Sequence, residues 1–126
     1  MSILTVNTNK APAAIGPYSQ AKVFNGVVYV SGQLPMDPAT GEMELGDVAK
    51  QTKLVMSNLT AIIEAAGSSL DKILKATILL TDMAYFAQVN EVYASFFKET
   101  PPARICYQVS ALPKCASVEI DAICAQ

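Results

Sequence analysis

Hydrophobic and polar residues follow a strand-like pattern in two short segments of the N-terminal third. Residues 21–24 (AKVF) and 27–31 (VVYVS) are rich in β-branched and aromatic residues, and they flank Asn25-Gly26. Because Asn-Gly readily adopts the positive φ angles of a two-residue hairpin turn, this pattern predicts a β-hairpin. The prolines and glycines between Gly32 and Gly46 predict a loop with turns after it.

Helical spacing of hydrophobic residues replaces this pattern in two later segments. The first helix is predicted from a cap at Asp47 to about Ala66, with Gly67 as its stop. Its apolar face comprises Val48, Val55, Leu59, Ile62 and Ala66. A second helix is predicted over about 83–98, capped by Thr81 or Asp82. Its apolar stripe comprises Phe86, Val89, Tyr93 and Phe97.

Three further segments predict strands. Residues 73–81 carry apolar residues on both faces, which is typical of a strand covered on both sides. Residues 105–110 and 117–124 predict a strand pair joined by ALPKCA. The element order β-β-α-β-α-β-β favours an α+β domain with both helices on one side of a single sheet. Two helices cannot cover both faces, so we expect the bare face to bind another subunit.

Length and composition predict one domain over residues 1–126 whose apolar content is high for its size. Hydrophobic residues make up 52% of the chain and charged residues 16%, and the mean hydropathy is +0.32. A run of roughly 18 uninterrupted apolar residues, as a membrane helix needs, is absent from the sequence. The first ten residues lack the pattern of a secretory signal. We therefore expect a protein that is not membrane-bound and buries its apolar excess in a subunit interface.

Charge and residue types exclude several classes of function. The net charge is −2 and the basic residues are scattered, which argues against nucleic-acid binding. Histidine is absent, which excludes Ser-His-Asp and Cys-His catalysis and histidine-containing zinc sites. Three cysteines without CxxC spacing argue against a disulfide framework or a metal site. We expect a reducing compartment, the cytoplasm by default, with a mitochondrial location still open.

The segment PPARICYQV places a cation beside a thiol. Alternation along a strand puts Arg104, Cys106 and Gln108 on one face. Arg104 either pairs with Glu99, Glu119 or Asp121, or binds an anionic ligand such as a carboxylate. Without a histidine to act as base, Cys106 is better interpreted as a small hydrophobic residue than as a nucleophile.

Three other positions have both a structural and a functional interpretation. Glu119 shares a strand face with Asp121, either as a solvated residue or as a carboxylate that deprotonates a water. Tyr18 follows a Gly-Pro turn, either as an exposed lid or as a core residue. Gly32, after Ser31, suits a turn or the close approach of a ligand to the backbone.

Six stretches of the chain form a recognisable set: APAAIGPYSQ from Ala11, VSGQLP from Val30, Asn58-Leu59 through EAAG at Glu64, PAR at Pro102, LPK at Leu112 and VEI at Val118. Together they resemble the RidA/YjgF reactive-intermediate deaminase family, also labelled endoribonuclease L-PSP. The resemblance spans nearly the whole chain. The last stretch matches the family signature in residue type and spacing. Ile105 departs from it, because a smaller residue is common there, and we expect altered packing without loss of activity.

The resemblance implies a chorismate-mutase-like fold assembled as a homotrimer, with ligand clefts between subunits. It implies hydrolysis of 2-imino acids such as 2-iminobutanoate and 2-iminopropanoate, and of their enamine tautomers, to 2-oxo acids and ammonia. No cofactor and no metal are implied. Two other functions stay open: an endoribonuclease, and a non-enzymatic trimer that binds small carboxylates or acts like a chaperone.

The resemblance also implies roles for single residues. Arg104 would hold the substrate carboxylate, and Glu119 would hold the attacking water. Backbone groups at Gly32 and Cys106 would position the imine. Tyr18, Ser31 and Asn90 would line the cleft.

Overall fold

A computed structural model describes residues 2–126 of the chain. Eight longer elements follow one another along it. They are β1 (Leu4–Val6), β2 (Ala21–Phe24), β3 (Val27–Gln33), α1 (Val48–Ala65), β4 (Ile73–Leu80), α2 (Phe86–Ala94), β5 (Ala103–Gln108) and β6 (Val118–Ala125). Short 3₁₀ turns occur at Leu70–Lys72, Met83–Tyr85 and Pro113–Cys115. The predicted α+β class is confirmed.

The predicted hairpin is confirmed as β2 and β3. Asn25 and Gly26 have φ angles of 57° and 77°, as the two central residues of a type I′ turn require. One further strand, β1, pairs with β2 through Leu4 opposite Val23. Its three residues are too few for a recognisable alternation, so the sequence pattern missed it.

The strands form one mixed sheet in the order β1-β2-β3-β6-β4-β5. β6 runs antiparallel to β3 and to β4, whereas β4 and β5 are parallel. The predicted pairing of the last two strands is therefore wrong, because β4 lies between them. The crossover through α2 makes β5 parallel to β4, and β6 then pairs with both β3 and β4. A central position suits β6, whose Val118, Ile120 and Cys124 are fully buried.

Both predicted helices form, but the second is shorter than its sequence pattern. α1 begins after Asp47, whose Oδ1 accepts from the backbone N of Ala49 at 2.7 Å. Gly67 follows with a φ of 80°, which confirms the predicted stop. Instead of 83–98, α2 spans Phe86–Ala94. At its N-terminal end, residues 83–85 form a 3₁₀ turn capped by Asp82. At its C-terminal end, the Ser95 hydroxyl donates to the Val92 carbonyl, and this bond competes with the backbone bonds that would continue the helix.

One face of the sheet packs on the helices and the other does not. Side chains at alternate positions, such as Ile78, Leu80 and Ile120, form one core cluster with α1 and with Val89 and Tyr93 of α2. The intervening side chains are exposed in the single chain, among them Leu74, Tyr29, Ile105, Tyr107 and Ile123. β4 is thus covered on one face within the chain, not on both as its composition predicts.

The loop between β5 and β6 contains the least favourable backbone in the described residues. Lys114 and Cys115 have φ angles of 56° and 62°, in the left-handed region, although neither is a glycine. In that region the Cβ of an L-residue crowds the next carbonyl oxygen, at roughly 1–2 kcal/mol per residue. Cys115 is exposed, so its side chain gains little packing in return.

We expect Cys115→Gly to raise the free energy of unfolding by about 0.5–1 kcal/mol, because relief of the Cβ contact exceeds the extra backbone freedom of glycine in the unfolded chain. Urea unfolding at a fixed protomer concentration measures the difference. Cys115→Ala keeps the Cβ and is the matched control, with no change expected. A stabilisation of equal size in both variants would contradict the assignment to backbone strain.

Candidate functional site

Arg104 extends from β5 toward the helical layer. In the parallel register it lies opposite Ala76, whose side chain is buried on the helix-covered face. Its Nη1 donates to Oδ1 of Asn90 on α2 at 2.7 Å. The predicted alternation is confirmed, since Cys106 packs against the core and Gln108 Oε1 accepts from the backbone N of Met83 at 2.8 Å.

Two aromatic rings of α2 flank the same guanidinium. Its Cζ lies 5.6 Å from the ring centroid of Phe86 and 5.3 Å from that of Tyr93. The partner of Arg104 within residues 2–126 is thus the Asn90 amide and two π faces rather than a carboxylate. The interpretation of Arg104 as half of an ion pair within one chain has no support in these contacts, and the guanidinium keeps donors for an anion.

Cys106 has the properties of a small hydrophobic residue. It is half-buried, and burial raises the pKa of its thiol above the ordinary 9.0, although the Arg104 charge opposes this shift. The thiol is therefore protonated at neutral pH. This agrees with the structural interpretation of Cys106 and leaves its backbone as the group that a ligand could use.

Glu119 lies on β6 with its side chain on the face that the helices do not cover. Its neighbours Val118 and Ile120 are fully buried on the other face, which confirms the predicted alternation. Burial raises the pKa of the Glu119 carboxyl, and the nearby Asp121 carboxylate raises it further. The Asp121 Oδ1 itself accepts from the backbone N of Thr77 at 3.1 Å.

Gly32 makes room for the Glu119 carboxylate. The register between β3 and β6 shifts between Val30 and Gln33, which marks a β-bulge. A Cβ on Gly32 would lie 2.0 Å from Glu119 Oε2, so no other residue fits without moving the carboxylate. The close approach that Gly32 permits in the single chain is thus that of a side chain of this protein.

Tyr18 and Ser31 lie beside Gly32. The Ser31 hydroxyl donates to the Ser19 carbonyl at 2.6 Å, and the Ser31 backbone N donates to the Gln20 carbonyl at 2.9 Å. These bonds fix the segment before β2 along the bulged end of β3. The Tyr18 ring is 51% exposed, so it is not a core residue. It lines a cleft of about 40 Å³ with Gly32 and a second hollow with Ser31.

The sheet separates these residues into two groups within one chain. Arg104, Asn90 and Cys106 lie on the helix side of the edge strand β5. Glu119, Gly32 and Ser31 lie on the uncovered side, near the middle of the sheet. A small molecule bound to one chain cannot contact both Arg104 and Glu119, because the sheet lies between them.

Sequence patterns missed the two aromatic contacts of Arg104. Phe86 and Tyr93 belong to the stripe that predicts a core-facing helix surface, and both do pack on the core cluster. The available signal was spacing, because Phe86, Asn90 and Tyr93 are four and three residues apart and so share one side of α2. A polar residue in the middle of an aromatic stripe indicates a polar partner on a neighbouring element.

Residues 2–126 contain no group of three or more Cys, Asp or Glu side chains arranged to hold a metal ion. Neither of the described helices is long and apolar enough to span a bilayer. The predicted cytoplasmic location stays a prediction.

Comparison with known proteins shows similarity along almost the whole chain. The family model described as Endoribonuclease L-PSP matches residues 8–126. A Bos taurus protein named 2-iminobutanoate/2-iminopropanoate deaminase is 50% identical over 121 residues, covering 96% of this chain and 88% of its own. A Sinorhizobium fredii protein named RutC family protein y4sK is 52% identical over 118 residues, or 94% of each chain.

Solved structures agree with these matches. The crystal structure of E. coli TdcF with bound serine superposes with a TM-score of 0.94 at 44% identity, covering 98% of each chain. A protein of the Rid family from Yersinia pestis, YyfA, superposes with a TM-score of 0.96 at 48% identity, covering 99% of this chain and 100% of its own.

We expect Glu119→Gln to raise the melting temperature at neutral pH. A pKa raised by folding means that the ionised carboxylate destabilises the folded state, and this penalty vanishes below the pKa of the unfolded chain, ordinarily 4.5. The gain should therefore be present near pH 7 and shrink as the pH falls toward 4.5. Thermal unfolding over this range measures it.

The exposed Glu42, changed to Gln, is the matched control and should show no such pH-dependent gain. A Glu119→Gln protein that is less stable than wild type at pH 7 would mean that the carboxylate is stabilised by contacts in the folded state.

Proposed function

Because this chain belongs to the Endoribonuclease L-PSP family, which includes the RidA/YjgF proteins, we propose that it is a deaminase of 2-imino acids. Its products are the corresponding 2-oxo acids and ammonia. The observation that carries the proposal is the identity of about half its residues with a mammalian protein named for this activity. Two residues suit the same chemistry: Arg104 has donors available for a carboxylate, and Glu119 has a raised pKa that suits a proton acceptor.

The reaction needs a water, a proton acceptor and a proton donor. The water oxygen attacks the imine carbon and a C–O bond forms, while one water proton passes to a base. The C=N π pair becomes the lone pair of an amine, which takes up a proton. The hydroxyl proton of this carbinolamine then passes to the nitrogen, the C–N bond breaks with its electron pair on nitrogen, ammonia leaves, and the oxygen forms C=O. An enamine first tautomerises to the imine. Because the C=N bond is already polarised, orientation and proton transfer supply the catalysis.

Arg104 is the proposed carboxylate anchor. A guanidinium has five N–H donors in a planar fork that matches a carboxylate, and the Asn90 bond uses one of them. Arg104 is exposed, so a ligand can approach its remaining donors. Asn90 then acts on the ligand through Arg104, and the backbone at Cys106 lies two residues further along the same strand face.

Glu119 is the proposed base. Its raised pKa makes the carboxylate a better proton acceptor than an ordinary glutamate. Glu119 lies against Gly32, which also lines the small cleft with Tyr18, and the attacking water and the imine end of the substrate would bind beside these residues.

We propose a homotrimer in which each cleft lies between two subunits. Arg104 and Glu119 lie on opposite faces of one sheet, so a shared ligand requires Arg104 of one copy and Glu119 of another. The uncovered face supplies the surface for such contact, with Tyr29, Ile105 and Tyr107 each about half exposed. Burial of apolar area stabilises association by about 25 cal/mol per Å². Ile105 belongs to this face, where the departure from the family pattern would alter subunit packing.

The proposal is tested by trapping the imine. A threonine dehydratase generates 2-iminobutanoate, and semicarbazide competes for it. We expect wild-type protein to suppress semicarbazone formation and to accelerate release of 2-oxobutanoate. Arg104→Ala should lower this activity roughly 100-fold or more because the substrate is no longer oriented. Glu119→Gln should lower it about 100- to 10,000-fold because the base is lost.

Lys50→Ala removes an exposed cation from α1 and is the matched control, with full activity expected. Size-exclusion chromatography with light scattering verifies that each variant keeps the assembly of the wild type. Unchanged trapping in the presence of wild-type protein would disprove the deaminase proposal. Full activity of Arg104→Ala would disprove the anchor alone.

The family description also favours a second candidate, an endoribonuclease. The net charge of −2 and the scattered basic residues argue against extensive phosphate contacts. We expect no cleavage of single-stranded RNA and no retardation of its mobility at 50 mM salt, where phosphate contacts are strongest. Cleavage that Glu119→Gln abolishes would reverse this ranking. Binding of 2-oxobutanoate without imine hydrolysis would instead indicate a non-enzymatic carboxylate-binding protein.

A further inference from the structure

Arg104 is the one arginine among 126 residues, and one side of α2 contacts its guanidinium. Phe86, Asn90 and Tyr93 contribute the three contacts, at spacings of four and three residues along the helix. Such spacing makes the contacts a single rigid unit, because the helix fixes the relative positions of the three side chains. We call these three residues the α2 cradle.

Both rings lie within cation–π range of the guanidinium. The distances of 5.6 Å to Phe86 and 5.3 Å to Tyr93 are below the 6 Å at which the ring quadrupole attracts a cation. The Tyr93 ring is itself held in place, because it is 3% exposed and the Phe97 ring lies 4.9 Å behind it at 55°. One of the two rings that the guanidinium contacts, that of Tyr93, therefore belongs to the hydrophobic core.

The contribution of Tyr93 comes from its ring and not from its hydroxyl. The phenol oxygen is buried and has no hydrogen-bond partner among the described residues, and an unpaired buried polar group weakens folding. Burial also raises the pKa of this phenol, so it stays neutral. A phenylalanine would supply the same π face, which provides a conservative variant for experiments.

We propose that Phe86, Asn90 and Tyr93 are positioning residues that hold the Arg104 guanidinium in one plane before a carboxylate ligand binds. An exposed arginine on an edge strand would otherwise sample many rotamers and lose that freedom on binding. The Asn90 bond fixes the in-plane rotation and the two rings fix the tilt. The carboxylate as ligand rests on the proposed function, whereas the cradle itself does not.

The single arginine makes the cradle directly observable. In the ¹H–¹⁵N spectrum of the 126-residue chain, Arg104 contributes the only arginine Nε–Hε signal. Ring currents from Phe86 and Tyr93 should displace this signal from the position of free arginine. We expect Phe86→Leu or Tyr93→Leu to return it toward that position, and Tyr93→Phe to leave it where it is in the wild type.

Binding of 2-oxobutanoate, measured by calorimetry, tests the consequence for a ligand. Loss of one ring should weaken binding about 3- to 10-fold. Tyr93→Phe should change it less than about twofold, because the π face remains. In the Arg104→Ala background, where binding is weak throughout, Tyr93→Leu should have no further effect, because residues that act through one partner are not additive.

Several results would overturn the proposal. An Arg104 signal at the free-arginine position in the wild type would show that the α2 cradle does not hold the guanidinium against its rings. A loss of affinity in Tyr93→Leu that is equally large without Arg104 would assign Tyr93 a purely structural role. Should Tyr93→Leu not fold, the half-buried Phe86 carries the same test, with Phe86→Tyr as its conservative variant.

Failure of this proposal is distinguishable from failure of the proposed function. A displaced Arg104 signal with 2-oxobutanoate binding but no imine hydrolysis would support the cradle and reject the deaminase. Imine hydrolysis by the wild type, together with an unaltered affinity of Phe86→Leu and Tyr93→Leu for 2-oxobutanoate, would support the deaminase and reject the cradle. Absence of 2-oxobutanoate binding to the wild type would reject the carboxylate as the ligand that the cradle serves.

Discussion

The coverage of the sheet on one face only is the constraint on which the rest of this structure depends. The helix-covered face buries alternate side chains of β2, β3, β4 and β6, and the intervening side chains of these strands extend to a face that the chain does not cover. On that face lie large apolar residues such as Tyr29 and Tyr107 together with the carboxylates of Glu119 and Asp121. Its mixed character, apolar over much of its area and acidic at one point, suits a subunit interface that also encloses a polar site.

The same constraint separates the two groups that the proposed chemistry requires. Arg104 lies on the edge strand β5 and faces α2, where its guanidinium donates to an amide and lies over two aromatic rings. Glu119 lies on the central strand β6 and faces away from the helices, where burial raises its pKa. Neither group neutralises the other within one chain, so the cation remains free for an anion and the carboxylate remains free to accept a proton. Assembly of copies into a homotrimer, as proposed, would turn two half-sites into one cleft.

Small backbone features adjust each half-site. The bulge between Val30 and Gln33 brings Gly32 against Glu119, and the missing Cβ leaves just the space that the carboxylate occupies. On the other side, the short α2 ends before Ser95, and its three-contact face is centred on Asn90. Gly32 and Asn90 each interrupt an apolar pattern. Gly32 leaves room for the Glu119 carboxylate, and Asn90 accepts a hydrogen bond from the Arg104 guanidinium.

The sequence by itself determined the α+β class, the hairpin at Asn25-Gly26, the cap at Asp47 and the stop at Gly67, because these follow from local backbone preferences. Alternation likewise determined which residues share a strand face, including Arg104 with Cys106 and Glu119 with Asp121. Resemblance to a family, and not spacing, assigned roles to those residues. Only the tertiary structure decided the partners of each strand, and with them the insertion of β6 between β3 and β4 and the placement of Arg104 and Glu119 on opposite faces. Strand pairing joins residues far apart in the chain, and its energy depends on the burial of a whole sheet face, which no local segment encodes.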